Sequence, residues 1–151
     1  MVDRYRRCPK CGTPVETYTN PIPTVDVIIE CKNTDGKEGI IMIFRGNEPH
    51  QWALPGGFVE YAETLEQAAA REAEEETSLK VSDLRQFHTY SNPERDPRHH
   101  TITTVYIGKG AGVPRANDDA EHIDIFTQDS LPDEIAFDHR EVLKDYFERK
   151  I

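Results

Sequence analysis

Cysteine, long apolar runs and net positive charge are all scarce in this chain of 151 residues. Three cysteines cannot form a fully paired disulfide framework, which favours a reducing compartment. The longest apolar runs, such as residues 40–43, are far shorter than the roughly 20 residues that a membrane-spanning helix needs. The basic N-terminus has no apolar stretch behind it, unlike a signal peptide. We therefore expect a cytoplasmic protein without a membrane segment.

The shortage of positive charge limits the partners. The 18 Lys and Arg residues are outnumbered by 28 Asp and Glu residues, which gives a formal net charge of −10. Because nucleic-acid phosphates and anionic lipids repel such a surface, we expect neither nucleic acid nor a membrane as a partner. The length supports one domain with its own core.

The first residues differ from the rest of the chain. We interpret residues 1–19 as an N-terminal arm with a Cys-x-x-Cys knuckle, Cys8 and Cys11, and residues 20–151 as the main domain. A structural Zn²⁺ ion takes four ligands, so zinc here would have to recruit Cys31 and a histidine, or cysteines of a partner chain. The alternative, which we favour, is a ribbon remnant with two free thiols.

The main domain mixes strand and helix patterns without a strict strand–helix–strand rhythm. Apolar and β-branched runs predict strands over residues 24–30, 39–44, 58–60, 84–90, 101–107 and 123–126. Helices are predicted over residues 64–77 and 139–150, and Thr64 and Gln67 form a capping box at the start of the first. We therefore expect an α+β fold with a mixed sheet flanked by helices.

The helix predicted over residues 64–77 changes character along one face. At about 100° per residue, its early apolar side chains form a single inward stripe. These side chains are Leu65, Ala68 and Ala69. Glu72 and Glu76 continue the stripe and Glu75 lies on its edge, whereas Glu74 points to solvent. The helix is thus apolar inside at its start and acidic inside at its end.

Inward carboxylates at this spacing indicate a metal site. They repel one another and lose hydration unless a divalent cation binds them. Carboxylate oxygens suit Mg²⁺ or Mn²⁺, and protein-bound Mg²⁺ often shares carboxylates with substrate phosphates. Gly56 and Gly57, just before the helix, permit close approach of a ligand. The alternatives are a solvated charged face and a simple glycine turn, and the inward geometry favours the metal.

These residues together resemble the box of the Nudix hydrolases, G-x5-E-x7-R-E-U-x-E-E-x-G-U, where U is a bulky aliphatic residue. The matching positions in this chain are Gly57, Glu63, Arg71, Glu72, Ala73, Glu75, Glu76, Ser78 and Leu79. Ala73 replaces an aliphatic residue. Ser78 replaces a glycine that ends the helix in the left-handed conformation, a change that costs about 1 kcal/mol. Neither departure removes a carboxylate, so we expect catalysis to be intact.

The resemblance implies the Nudix α/β/α sandwich over about residues 20–150. It also implies cleavage of a nucleoside diphosphate linked to another group. Glu72, Glu75 and Glu76 would be the catalytic metal ligands, joined by a main-chain carbonyl at Gly56 or Gly57. Two further catalytic positions are implied: Arg71, which would orient the carboxylates through salt bridges, and Glu63, which would support the loop.

The segments around the box are similar to the ADP-ribose pyrophosphatase branch. They lie at residues 20–26, 45–49, 52–60, 91–98 and 118–120. This similarity implies hydrolysis of ADP-ribose to AMP and ribose 5-phosphate and, by analogy, a homodimer. Open alternatives are the same chemistry on a nucleoside triphosphate or a dinucleoside polyphosphate, and a protein that senses ADP-ribose without cleaving it.

Four side chains outside the box are candidates for substrate binding. Arg45, Arg95 and Arg98 have the charge to bind phosphates. Glu121, together with Asp118 and Asp119 beside it, is a candidate for a further metal ligand or general base. For each residue the alternative is a surface salt bridge, a solvated loop or an acidic turn.

Overall fold

The computed structural model describes residues 5–17, 19–32 and 34–148 of the chain. The strands in this part are β1 (Tyr5–Arg7), β2 (Pro14–Glu16), β3 (Ile22–Lys32), β4 (Glu38–Arg45), β5 (Trp52–Ala53), β6 (Gly56–Phe58), β7 (Lys80–Tyr90), β8 (Thr101–Ala111) and β9 (Ala120–Phe126). The helices are α1 (Leu65–Thr77) and α2 (His139–Glu148), with a short 3-10 helix, Gln128–Ser130, before α2. The predicted end of the second helix, residues 149–150, lies outside the described residues, as do residues 1–4 and 18 of the arm.

A seven-stranded mixed sheet organises the main domain around β3. Five strands run in the order β5-β4-β3-β8-β7, while β6 pairs with β3 and β9 pairs with β4. The pairing of β3 with β8 is parallel, and the other pairings in the sheet are antiparallel. On its other edge, β3 pairs with β4 near Cys31 and with β6 near Val25. The prediction of an α+β fold with a mixed sheet is confirmed.

The two faces of the sheet carry separate cores because successive side chains of a strand point in opposite directions. Val25, Val27 and Ile29 of β3 pack on the face that α1 covers, together with the alanines of that helix. Ile28 packs on the opposite face, where Val142 and Leu143 of α2 are fully buried. The sheet is therefore sandwiched between α1 and α2, as predicted.

The strand at the glycines differs from the prediction. We predicted a strand over residues 58–60, whereas β6 is Gly56–Phe58 and includes both glycines. Gly56 pairs with Asp26, and Gly57 pairs with Val25. A Cβ atom at Gly56 would collide with the Val25 carbonyl oxygen. Glycine is needed here because β6 approaches β3 closely. The prediction began the strand after the glycines because a glycine pair in a sequence usually indicates a turn.

The arm forms a small hairpin of its own. Strands β1 and β2 pair antiparallel, and all six of their residues are exposed. Cys8 and Cys11 lie in the connecting loop, and the Cys11 thiol donates a hydrogen bond to Thr13 Oγ1 at 3.3 Å. All three cysteines are free thiols. Across residues 5–148, apart from 18 and 33, no helix has the length and apolar character to cross a bilayer.

Candidate active site

Helix α1 places the acidic side chains as its periodicity predicts. Thr64 caps the helix and forms the predicted capping box with Gln67. Glu76 is buried, Glu72 is half-buried, and Glu74 is exposed on the other side. The inward acidic end of the helix is therefore confirmed.

Ser78 ends the helix in the left-handed conformation, with φ of 59° and ψ of 17°. Its backbone N–H donates to the Glu74 carbonyl at 2.9 Å, which satisfies one carbonyl of the last turn. The departure from glycine therefore keeps the backbone geometry that the box requires. The helix end bears the strain of a Cβ atom in that region.

Arg71 connects the carboxylates of the box. Its Nε and Nη2 atoms donate to the two oxygens of Glu63 at 2.8 and 2.9 Å. Its Nη1 atom donates to Glu72 at 2.8 Å and to Glu75 at 3.0 Å. The hydrogen bonds from Arg71 lower the pKa of Glu63 to about 2. One guanidinium thus holds three box carboxylates in place at the floor of the site.

Glu76 is the most deeply buried of the acidic side chains, at 4% exposure. Its Oε2 atom accepts a hydrogen bond from the Gly56 N–H at 2.9 Å. Burial raises the pKa of Glu76 to about 8, and the nearby Glu72 and Asp26 carboxylates add to the rise. Burial also raises the pKa of Glu72, although Arg71 opposes this effect. The fold therefore disfavours the ionised form of both carboxylates, and a bound cation would offset that cost.

Gly57 leaves room for the Glu72 carboxylate. A Cβ atom at position 57 would lie 2.5 Å from Glu72 Oε1 and 2.6 Å from its Cδ. Real Cβ atoms do not approach other atoms so closely, so any other residue would displace the carboxylate. The glycine therefore permits β6 and α1 to bring the backbone and the acidic cluster into contact.

The cleft is also lined by basic side chains. Arg45, at the end of β4, donates to the carbonyls of Glu48 and Pro49, each at 3.2 Å. Arg98 forms a two-point ion pair with Asp96 at 3.0 and 2.9 Å. The Cζ atoms of both arginines lie 4.9 Å from the centroid of the Phe137 ring. Two guanidiniums thus line the same cleft as the acidic end of α1.

A buried polar network lies next to these arginines and includes Arg95 and His139, which also line the cleft. Arg95 donates to both oxygens of Asp138 at 2.9 and 2.7 Å and to Thr101 Oγ1 at 2.8 Å. His139 Nδ1 accepts from the Leu54 N–H at 3.0 Å, which assigns the ring proton to Nε2.

His139 Nε2 lies 3.3 Å from Asp26 Oδ1, so its proton faces that oxygen, and Thr103 Oγ1 donates to Asp26 Oδ2 at 2.6 Å. Burial alone would raise the pKa of Asp26, but His139, Arg95 and Thr103 together lower it. The network therefore joins β3 and β8 to the start of α2 through an ionised carboxylate.

Most of the predicted site residues meet in one cleft of about 360 Å³. They are Arg45, Gly56, Arg71, Glu72, Glu75, Glu76, Arg95 and Arg98. Glu63 lies outside this lining and acts on it through Arg71. Glu121 is exposed and does not line the cleft. The hydrogen-bonding capacity of Arg95 is directed largely to Asp138 and Thr101, and its contact with substrate stays a prediction.

Several residues of the cleft escaped the sequence analysis. They are Thr24, Asp26, Asp96, Phe137 and His139. The segments that contain Thr24, Asp26 and Asp96 carry only a similarity to one branch of the family. Asp118 and Asp119, which were considered together with Glu121, do line the cleft. No periodic or spacing signal marks Asp26, Phe137 or His139, because distant segments bring them together.

The carboxylates do not form a ready-made ligand set. Within residues 5–17, 19–32 and 34–148, no three or more His, Cys, Asp and Glu side chains are arranged to hold a metal ion. The Glu72 and Glu75 oxygens are directed to Arg71 instead. The residue types nevertheless fit Mg²⁺ or Mn²⁺, because all are hard oxygen donors and Glu76 is buried with the Glu72 carboxylate nearby.

The fold and the box together define the class of protein. A model of the NUDIX domain matches residues 21–146, most of the chain. A solved MutT/nudix family protein from Enterococcus faecalis is 31% identical, with a TM-score of 0.78 over 89% of this chain and 64% of that one. The chain belongs to the Nudix family, and the prediction of a Nudix hydrolase is confirmed at that level.

Individual relatives indicate a branch of the family. The ADP-ribose pyrophosphatase of Methanocaldococcus jannaschii is 44% identical over 88% of this chain and 77% of its own length. The ADPR responsive transcriptional repressor NtrR of Acinetobacter baylyi is 33% identical, and the chain spans 87% of itself but only 55% of that protein. A Francisella tularensis NMN adenylyltransferase/ADP ribose pyrophosphatase, solved with AMP and a Mn ion, is 26% identical with a TM-score of 0.71, over 87% of this chain and 42% of that one.

Proposed function

We propose that this chain hydrolyses ADP-ribose to AMP and ribose 5-phosphate with the help of a divalent cation. The observation that carries the proposal is that the inward acidic end of α1 and the arginines Arg45 and Arg98 line one cleft. The 44% identity to an ADP-ribose pyrophosphatase supports this choice of substrate.

Glu72, Glu75 and Glu76, with the main-chain carbonyl of Gly56, are the groups that would hold Mg²⁺ or Mn²⁺. When bound, the cation supplies charge neutralisation for the diphosphate and lowers the pKa of a coordinated water. Arg71 keeps Glu72 and Glu75 oriented towards the cleft. Glu63 holds Arg71 in place by accepting its hydrogen bonds.

On the substrate side, Arg45 and Arg98 bind the phosphates, because guanidinium groups pair well with phosphate oxygens. In the reaction, one bridging P–O bond of the diphosphate breaks and a new P–O bond forms to the oxygen of water. Arg95 would add charge beneath the phosphates, and Glu121 is the proposed further metal ligand or general base.

The test is a product analysis. The purified chain is incubated with ADP-ribose and Mg²⁺, with EDTA in a parallel sample, and the products are separated by chromatography. ATP, a diadenosine polyphosphate and NAD form the comparison panel. We expect AMP and ribose 5-phosphate only with metal, and faster turnover of ADP-ribose than of the panel. Preferred cleavage of a panel member would keep the chemistry and replace the substrate.

A sensor that binds ADP-ribose without cleaving it is the second candidate, favoured by the 33% identity to an ADPR responsive repressor. Calorimetric binding of ADP-ribose without any product would establish this alternative. The intact box carboxylates argue for the enzyme.

Three further properties belong to the proposal. We propose a cytoplasmic protein, since its free thiols fit a reducing compartment. We propose a homodimer, which sedimentation of the purified chain can test. We also propose that residues 1–19 form an arm separate from the catalytic domain, with zinc at Cys8 and Cys11 as the less favoured state of that arm.

A further inference from the structure

Phe137 lines the cleft, and the proposed reaction assigns it no role. It is half-buried between the 3-10 helix and α2. Its backbone has φ of 56°, a left-handed conformation that is a genuine outlier for a bulky side chain. Such strain persists where the surrounding structure holds a residue in place, and it is concentrated at functional sites.

The ring brings together three distant segments. The guanidinium of Arg45 at the end of β4 and that of Arg98 in the loop before β8 each lie 4.9 Å from its centroid, within cation–π range. The ring of His139, the first residue of α2, contacts it edge-on, with centroids 5.4 Å apart. Phe137 therefore joins the end of β4 and the loop before β8 to the start of α2.

Each arginine is further fixed by its own partners. The Glu48 and Pro49 carbonyls accept from Arg45, and the Asp96 carboxylate accepts from Arg98. Among residues 5–17, 19–32 and 34–148, no hydrogen-bond acceptor lies at the Nη1 group of either arginine. Both Nη1 groups can therefore donate hydrogen bonds to a ligand in the cleft.

Two guanidiniums at one ring repel each other. Burial lowers the pKa of Arg45 and the charge of Arg98 lowers it further, although the nearby carboxylates of Glu76, Asp119 and Asp96 oppose this effect. An anion that bridges the pair removes this repulsion, and a diphosphate supplies two adjacent anionic groups. The remaining guanidiniums of the cleft are committed elsewhere, Arg71 to the box carboxylates and Arg95 to Asp138.

We propose that Phe137 is a positioning residue that holds Arg45 and Arg98 as a paired receptor for the two phosphates of the substrate, in the cleft that the acidic helix also lines. The assignment rests on the proposed hydrolysis of a nucleoside diphosphate. It extends that function by naming the side chain that sets the spacing of the phosphate-binding pair.

The test compares Phe137→Leu with Phe137→Tyr. Leucine removes the π face and keeps an apolar side chain, whereas tyrosine keeps the ring. Phe137→Leu is expected to raise the KM for ADP-ribose about tenfold with a much smaller change in kcat, because two cation–π contacts are lost and substrate is bound before chemistry. Phe137→Tyr is expected to retain a KM within about twofold of the wild type.

The matched control is Phe87→Leu. Phe87 of β7 is also half-buried, but it packs against Tyr146 of α2, outside the cleft. This variant is expected to leave KM unchanged. An unchanged KM in Phe137→Leu, or a rise in KM that tyrosine does not restore, would overturn the assignment.

The outcome also separates this proposal from the proposed function. If the wild type prefers another diphosphate of the panel, the same three variants are compared on that substrate. A selective rise of its KM in Phe137→Leu would support the positioning role although ADP-ribose was the wrong substrate. Turnover of ADP-ribose with an unaffected Phe137→Leu variant would refute the positioning role alone. A wild type that neither binds nor cleaves any diphosphate would refute both.

Discussion

The Glu76→Gln substitution is expected to stabilise the metal-free protein and to abolish its activity. Glu76 is nearly fully buried, and its carboxylate lies near those of Glu72 and Asp26. The side-chain oxygen of glutamine can still accept the hydrogen bond from the Gly56 N–H. The substitution therefore removes the ionisable group and retains the local contact.

The size of the effect follows from the pKa of Glu76, which rises from 4.5 in the unfolded chain to about 8 in the fold. At pH 7 the unfolded chain has lost this proton and the folded chain retains it, which lowers the free energy of unfolding by about 3 kcal/mol. Below pH 4.5 both states are protonated and the penalty vanishes. It grows as the pH rises and reaches its ceiling above about pH 8.

The assay is thermal or urea unfolding in EDTA at pH 5 and pH 7. At pH 7 the variant is expected to gain about 3 kcal/mol, or about 6 to 12 °C in Tm, and at pH 5 about 1 kcal/mol. The exposed Glu74→Gln variant, with the same change in chemistry, should stay within about 0.5 kcal/mol of the wild type. An equal gain at both pH values, or none at pH 7, would refute the reasoning.

Three more substitutions test other parts of the account. Gly57→Ala should lower kcat/KM about 100-fold with an unchanged circular dichroism spectrum, because the added Cβ displaces the Glu72 carboxylate. Arg95→Met should lower the free energy of unfolding in urea by about 3 to 5 kcal/mol, since Asp138 loses its buried partner; a loss below 1 kcal/mol would contradict the network. Ser78→Gly should raise the stability by about 1 kcal/mol with kcat unchanged, because glycine adopts the left-handed conformation without strain.

The parts that could be predicted from the sequence depend on local periodicity. The capping box at Thr64 and the inward direction of Glu76 follow from the geometry of one helix, whereas the left-handed Ser78 was expected from the resemblance to the box. The strands were found in most cases but with shorter bounds. For example, β7 begins at Lys80 rather than at residue 84, because pairing with β8 extends it beyond its apolar residues.

The parts that could not be predicted depend on contacts between distant segments. The parallel pairing of β3 with β8 places Asp26 beside Thr103, and α2 brings His139 to the same carboxylate. A lone Asp in an apolar strand and a His at a helix start have no sequence signal for this network. Arg95 was predicted as a substrate ligand from its charge, whereas its contact with Asp138 could be seen only in the fold.

The central claim is that the acidic end of α1 is a metal-dependent site for cleavage of a diphosphate. The most direct measurement is kcat on ADP-ribose with Mg²⁺ for Glu75→Gln and its neighbour Glu74→Gln, which make the same change at adjacent positions. Glu75 lines the cleft and bonds to Arg71, whereas Glu74 points to solvent. We predict at least about a 100-fold loss of kcat in Glu75→Gln and near-wild-type turnover in Glu74→Gln. Equal activity in the two variants would contradict the assignment of the site.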